Sequence, residues 1–270
     1  MDASPRDAVA LALVQGIAYV FPISSDGHAA LMDLLFGVRE PPLLLSVTFR
    51  FSALLATCIV LRARCGRLLR ELTLSFAQPS RLWSTQGGRD ATAVAFASVP
   101  TALFGLFLRE PVAAWSRSPL VVGVGLLGTS AWLLSSHWLK PGRSEFPGLL
   151  GAMLIGTAQG LAVLPGLSRS AGTIVCALWL GVRPDRAFEL SFLSSLPALL
   201  GIIAFDGRFL LREPVPIGIV LAAGLVSLVA CVAALLLLER VVRSGRLAWF
   251  AGYTLPLAFA TLAMALVWPH

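Results

Sequence analysis

Pro22-Ile23-Ser24-Ser25-Asp26-Gly27-His28 interrupts an apolar run that extends from residue 8 to residue 37. A bilayer core of roughly 30 Å takes about 20 apolar residues as a helix, and neither half of this run is that long. A polar break carrying Gly and Pro survives at membrane depth only where protein buries it or water reaches it. The run is therefore expected to fold as a re-entrant helical hairpin. A second apolar run, 148–182, is cut in the same way by Pro165-Gly166-Leu167-Ser168-Arg169-Ser170 and takes the same reading.

Outside these two runs, six stretches are long and apolar enough to cross a bilayer: 43–62, 91–109, 118–139, 186–204, 215–239 and 247–267. Composition agrees. Of 270 residues, 57% are hydrophobic and only 13% charged, and the mean hydropathy is +0.83, whereas soluble domains carry about a quarter charged residues. A soluble single-core protein is excluded. The expected fold class is an all-α integral membrane protein, six transmembrane helices plus two re-entrant hairpins, forming one membrane domain over 1–270. The net charge of +7 does not point to nucleic acid, because so apolar a chain has no extended polar face for a duplex. Cys58, Cys65, Cys176 and Cys231 form no C-x-x-C pair and no zinc spacing. The amino terminus is acidic before its apolar run and lacks a small-residue cleavage site, so no removable signal peptide is expected.

The positive-inside rule tests the span count. With 63–90 cytoplasmic, thirteen Lys and Arg residues collect on that side, within 62–89, 140–143, 183–186 and 240–246. Arg6, Arg39, Arg109, Arg117, Arg208 and Arg212 fall on the other, and only Arg50 and Arg169 stay inside the membrane. The chain also repeats itself: Gln15-Gly16-Ile17-Ala18 recurs as Gln159-Gly160-Leu161-Ala162, and at the same offset Ile23-Ser24 matches Leu167-Ser168. Each copy, 8–139 and 148–267, is a broken hairpin followed by three spans. Three is odd, so the second copy is expected to be inverted, a plan that places binding sites where the breaks meet.

The first break supplies Ser24, Ser25, Asp26 and His28, and the second Ser168, Arg169, Ser170 and Thr173. A helix restarting after each break points its positive dipole end into the site, which suits an anion. Arg169 adds a forked donor matched to phosphate oxygens. A lone Ser or Thr in a membrane helix more often bonds its own backbone, whereas an intramembrane Arg is functional by default. Arg50 is expected either at the site or in an ion pair with Asp33 or Glu189. Glu189, at the start of a span, reads as structural or interfacial.

At these residues a family resemblance becomes specific. Gly16-x-x-x-x-x-Pro22-Ile23-Ser24-Ser25-x-Gly27-His28 resembles the first signature of the bacterial undecaprenyl-diphosphate phosphatases of the bacitracin-resistance type. Leu164-Pro165-Gly166-Leu167-Ser168-Arg169-Ser170-x-x-Thr173-Ile174 resembles their second, and the likeness continues through Glu189-Leu190-Ser191-Phe192-Leu193 to Pro197. The resemblance implies a multi-pass enzyme of the bacterial inner membrane, its site open to the periplasm, that removes the terminal phosphate of the cell-wall lipid carrier. It implies Ser25 as nucleophile or phosphate contact, His28 as proton-transfer or phosphoryl-accepting partner, and Arg169 as the diphosphate clamp. Ser24, Gly27, Ser168, Ser170 and Thr173 would support substrate, together with Arg50, Gln15 and Tyr19.

The departures from the family pattern bear on its metal. Where the family has two first-helix glutamates this chain has Gln15 and Tyr19, and a third acid, at the next span, is Ser46. Magnesium and calcium seek carboxylate oxygens, so the usual ligands are gone and no metal residue is assigned. Asp26 stands where the family tends to have Thr and Arg50 at a usually neutral position, so two arginines are expected to neutralise phosphate charge and Asp26 to act as catalytic base. The expected partner is a polyprenyl diphosphate in the bilayer, with a homodimer left open. A rival reading is a non-hydrolytic binder or flippase for polyprenyl phosphate; an ion-coupled transporter rests on the repeat alone.

Overall fold

The computed structural model describes residues 5–36, 42–207 and 215–267, and among these the regular secondary structure is helical apart from a single bridge between Ser144 and Val182. Arg39, Arg208, Arg212 and His270 lie outside the described residues. The first apolar run forms α1 (Pro5–Ala18) and α2 (Ser25–Phe36). At 1.5 Å per residue, α1 spans about 21 Å, short of a bilayer core. After α3 (Leu43–Val60) come α4 (Arg62–Ser75) and the single turn α5 (Arg81–Ser84). Thus the 63–90 segment, which contains no span, is itself largely helical. Then follow α6 (Gln86–Phe107), α7 (Arg109–Trp115) and α8 (Pro119–Ser135). The second run gives α9 (Gly148–Leu161) and α10 (Arg169–Trp179), and the chain ends in α11 (Pro184–Gly207), α12 (Ile217–Arg243) and α13 (Ala251–Val267).

Among the described residues six segments are long and apolar enough to cross a membrane: 43–60, 86–107, 119–138, 184–207, 217–243 and 247–267. These are the expected spans with moved ends. α6 starts five residues early because Thr85 caps it, its hydroxyl accepting from the Gly88 N–H at 3.0 Å. α12 presents Leu221, Leu225 and Val229, each more than 60% exposed, at four-residue spacing. Such a bare apolar stripe is what a lipid-facing helix requires and a soluble one avoids.

Packing relies on small residues that let backbones approach. Gly16 of α1 sits against α12, where an added Cβ would stand 2.8 Å from the Ser227 carbonyl oxygen, and Gly156 of α9 sits closer still on α6, where it would stand 2.0 Å from the Ala97 carbonyl oxygen. The Cys231 thiol donates to the Gly16 carbonyl at 3.2 Å. α3 and the first turn of α4 run antiparallel to α11 and are joined to it at two levels. Arg50 of α3 pairs with Asp206 at 2.9 Å near the end of α11, and Arg64 of α4 pairs with Glu189 at 2.8 Å near its start. The expectation that Arg50 pairs with Asp33 or Glu189 is therefore corrected, because the antiparallel register carries Asp206 to Arg50 and Glu189 to Arg64. Glu189 also binds Arg186, which in turn binds Asp90. Arg186 is 1% exposed, so an arginine counted as a loop charge is instead part of the core.

Candidate active site where the two helix breaks meet

The breaks fall slightly earlier than the motifs suggest. α2 already begins at Ser25 and α10 at Arg169, so Ser25, Asp26, Gly27 and His28 occupy the first turn of one helix and Arg169 and Ser170 the first turn of the other. Each restart is capped by the preceding serine. Ser24 adopts a positive φ of 68°, and its hydroxyl accepts from the Gly27 N–H at 3.1 Å. Ser168 accepts from the Ala171 N–H at 3.3 Å and lies 3.4 Å from the Ser170 hydroxyl. Thr173 donates to the Arg169 carbonyl at 2.8 Å and pairs with Ser191. The hydroxyls of Ser24, Ser168 and Thr173 are thus engaged in building the two helix starts.

The two breaks touch through glycines. A Cβ on Gly27 would lie 2.9 Å from the Gly166 Cα, so only glycine permits the contact. Gly166 itself has φ +91° and presses on α8, where a Cβ would come within 2.3 Å of the Val122 carbonyl oxygen. Thr129 of α8 holds this turn from both sides, donating to the Gly166 carbonyl at 2.7 Å and accepting the Ser168 N–H at 2.8 Å.

Around the contact stand charged and polar side chains of both breaks. Arg169 is half-buried, donates to the Tyr19 carbonyl at 3.3 Å, and has its guanidinium carbon 6.0 Å above the Phe192 ring. That one hydrogen bond leaves most of its five N–H donors free. Asp26 is exposed and lies within electrostatic reach of both Arg50 and Arg169. The Tyr19 hydroxyl faces the Arg50 guanidinium, near Asp26 and Arg169. Ser25 and Gln15 are half-buried, with no side-chain hydrogen bond among the described residues. Asp26, Arg50, Arg169 and Tyr19 therefore form one cluster. His28 does not join it by a hydrogen bond: its Nδ1 lies 2.8 Å from the Ser24 carbonyl and its Nε2 2.7 Å from the Tyr253 hydroxyl.

Over residues 8–260 the sequence matches the family described as Bacitracin resistance protein BacA. The chain belongs to the BacA family. Relatives named undecaprenyl-diphosphatase extend over nearly its whole length. One from Desulfatibacillum aliphaticivorans is 34% identical over 259 residues, 92% of this chain and 94% of the relative. One from Desulfosudis oleivorans is 35% identical over 268 residues, 96% and 97%, and one from Bacteroides fragilis ATCC 25285 is 30% identical over 267 residues, 96% and 97%.

For a BacA-family chain, two features were not legible in the motifs. Thr129 and Tyr253 lie far from either signature, on helices whose sequence reads only as apolar span, and no local pattern marks them. The metal implied by the family does not fit the donors present. Among the described residues no three His, Cys, Asp or Glu side chains converge. Asp26 lies within reach of two guanidiniums and Asp206 is already paired with Arg50, so a divalent cation placed beside Asp26 would meet like charge from both arginines.

Proposed function

We propose that this BacA-family protein hydrolyses undecaprenyl diphosphate to undecaprenyl phosphate and inorganic phosphate at the outer face of the bacterial inner membrane, recycling the lipid carrier of wall synthesis. The observation that carries this reading is the meeting of two helix N-termini, Asp26 and Arg169 at one contact between the breaks. Aimed N–H groups and an arginine fork favour a phosphate group there. The names of the relatives supply the lipid.

In this reading Arg169 and Arg50 neutralise the equatorial oxygens of the distal phosphate, and no divalent cation is required. An oxygen nucleophile, the Ser25 hydroxyl or a water at the α2 N-terminus, bonds to the distal phosphorus. Its proton passes to Asp26. The bridging P–O bond breaks and undecaprenyl phosphate leaves; if Ser25 attacks, water then releases phosphate from it. Gln15, Ser170 and the Tyr19 hydroxyl line the approach of the diphosphate. The two halves, 8–139 and 148–267, act as inverted copies, so that the breaks approach each other from opposed sides. The Lys and Arg count supports placing 63–90 in the cytoplasm and the opening on the periplasmic side.

The experiment is phosphate release from undecaprenyl diphosphate by detergent-purified protein, with Arg169→Ala and His28→Ala beside the parent. Turnover that both variants lose supports the hydrolase. A second reading, a non-hydrolytic polyprenyl-phosphate binder or flippase, is favoured by one observation: Gln15, Tyr19 and Ser46 supply no carboxylate. Tight lipid-phosphate binding by a parent without turnover would establish it instead.

A further inference from the structure

His28 and Tyr253 lie 225 residues apart in sequence yet share a 2.7 Å hydrogen bond. Their rings stack with centroids 5.6 Å apart and planes 16° from parallel. The bond has a direction. The Ser24 carbonyl can only accept, so the imidazole Nδ1 at 2.8 Å must carry a proton and donate. In the neutral ring the lone pair then resides on Nε2, where the Tyr253 hydroxyl donates to it.

Tyr253 is itself fixed. The next residue, Thr254, is completely buried and bonds Ser130 of α8 at 2.8 Å. Thr129, the neighbour of Ser130, is the residue that holds Gly166 and Ser168. One short path of hydrogen bonds and adjacent residues therefore runs from the turn that starts the Arg169 helix, through α8 and α13, to the imidazole of the other break. The positions of Arg169 and of His28 are set by the same pair of helices.

We propose that Tyr253 is a positioning residue for the hydrolysis, holding the His28 ring, whose Nδ1–H is set by the Ser24 carbonyl, with its basic Nε2 directed at the α13 hydroxyl. The inference rests on the hydrolase reading above. It narrows the role of His28: Nε2 is not a free nucleophile, and His28 takes part in the reaction only through, or after release of, the Tyr253 hydroxyl. Tyr253→Phe keeps the stacked ring and removes only the hydroxyl, which makes it the decisive variant.

The test uses full-length purified protein labelled with ¹⁵N-histidine. The chain has three histidines, so His137→Gln with His270→Gln leaves the His28 signals alone. The parent should give a protonated Nδ1 and a hydrogen-bonded, unprotonated Nε2. In Tyr253→Phe the Nε2 resonance should move to the position of an unbonded imine nitrogen, and kcat should fall about tenfold, the worth of one strong hydrogen bond, with KM unchanged. Thermal unfolding of the variant confirms that it remains folded. A His28 spectrum identical in parent and Tyr253→Phe overturns the positioning role, as does a loss confined to KM. A parent that releases no phosphate overturns the hydrolase reading itself, and the spectra still report whether the His28–Tyr253 pair exists.

Discussion

Gly27 and Gly166 bring the two helix breaks into backbone contact, with room for no side-chain atom between them. Putting a methyl group at Gly27 forces it to 2.9 Å from the Gly166 Cα and 3.0 Å from the Ser24 hydroxyl. Gly27→Ala is expected to destabilise by about 1–3 kcal/mol, as overpacking does, and to reduce phosphate release by more than the stability loss explains. Gly201→Ala is the control, because nothing lies within 4 Å of its added Cβ. It should be neutral or stabilising by up to ~1 kcal/mol in detergent thermal unfolding.

Asp26 is the carboxylate facing Arg50 and Arg169. Asp26→Asn keeps the shape and removes the base, so kcat should fall roughly 10²–10⁴-fold with the melting temperature little changed. Chelator should leave the parent's rate unaltered. Activity abolished by chelator and restored by magnesium would defeat the arginine-for-metal reading.

Arg186 holds Asp90 and Glu189 in the core. Arg186→Met leaves two carboxylates without that partner, and the expected cost is about 3–5 kcal/mol, read as a large fall in unfolding temperature or loss of folded protein. Arg183→Ala, at a side chain 44% exposed, should change stability by no more than about 1 kcal/mol despite its two ion pairs.

Glu71 and Arg81 join α4 to α5 outside the spans, and the two guanidinium hydrogen bonds hold the Glu71 carboxyl below the ordinary glutamate range. A carboxylate depressed on folding stabilises above its unfolded pKa and ceases to do so as pH falls through the folded value. The protection of the α5 amides, measured against their intrinsic exchange at the same pH, should therefore fall as the pH drops below the ordinary glutamate range. Glu71→Gln should remove that pH dependence.

The span pattern was legible because lipid imposes it: twenty-odd apolar residues have few alternatives to a crossing helix. The two polar interruptions were legible for the converse reason, since Ser-Ser-Asp-Gly-His and Pro-Gly-Leu-Ser-Arg at that depth need a compensating site. Pairings between helices were not. Arg50 could be read as intramembrane, but nothing local to either residue says that the α3–α11 register brings Asp206 to it. Arg64 and Arg186 look like topology charges in sequence and turn out to hold Glu189 and Asp90, because a charge count cannot distinguish an arginine in headgroups from one buried beside an acid. Tyr253 carried no signal at all.

The ion pairs that α11 makes with α3 and with the first turn of α4 tie three helices together. Sliding α11 past its neighbours by a single turn, about 5.4 Å, would break both the Arg50–Asp206 and the Arg64–Glu189 bonds at once. That pair behaves as a bolted door frame. The short helices of the two breaks are the leaves closed inside it, latched to each other by Gly27 on Gly166 and to α8 by Thr129.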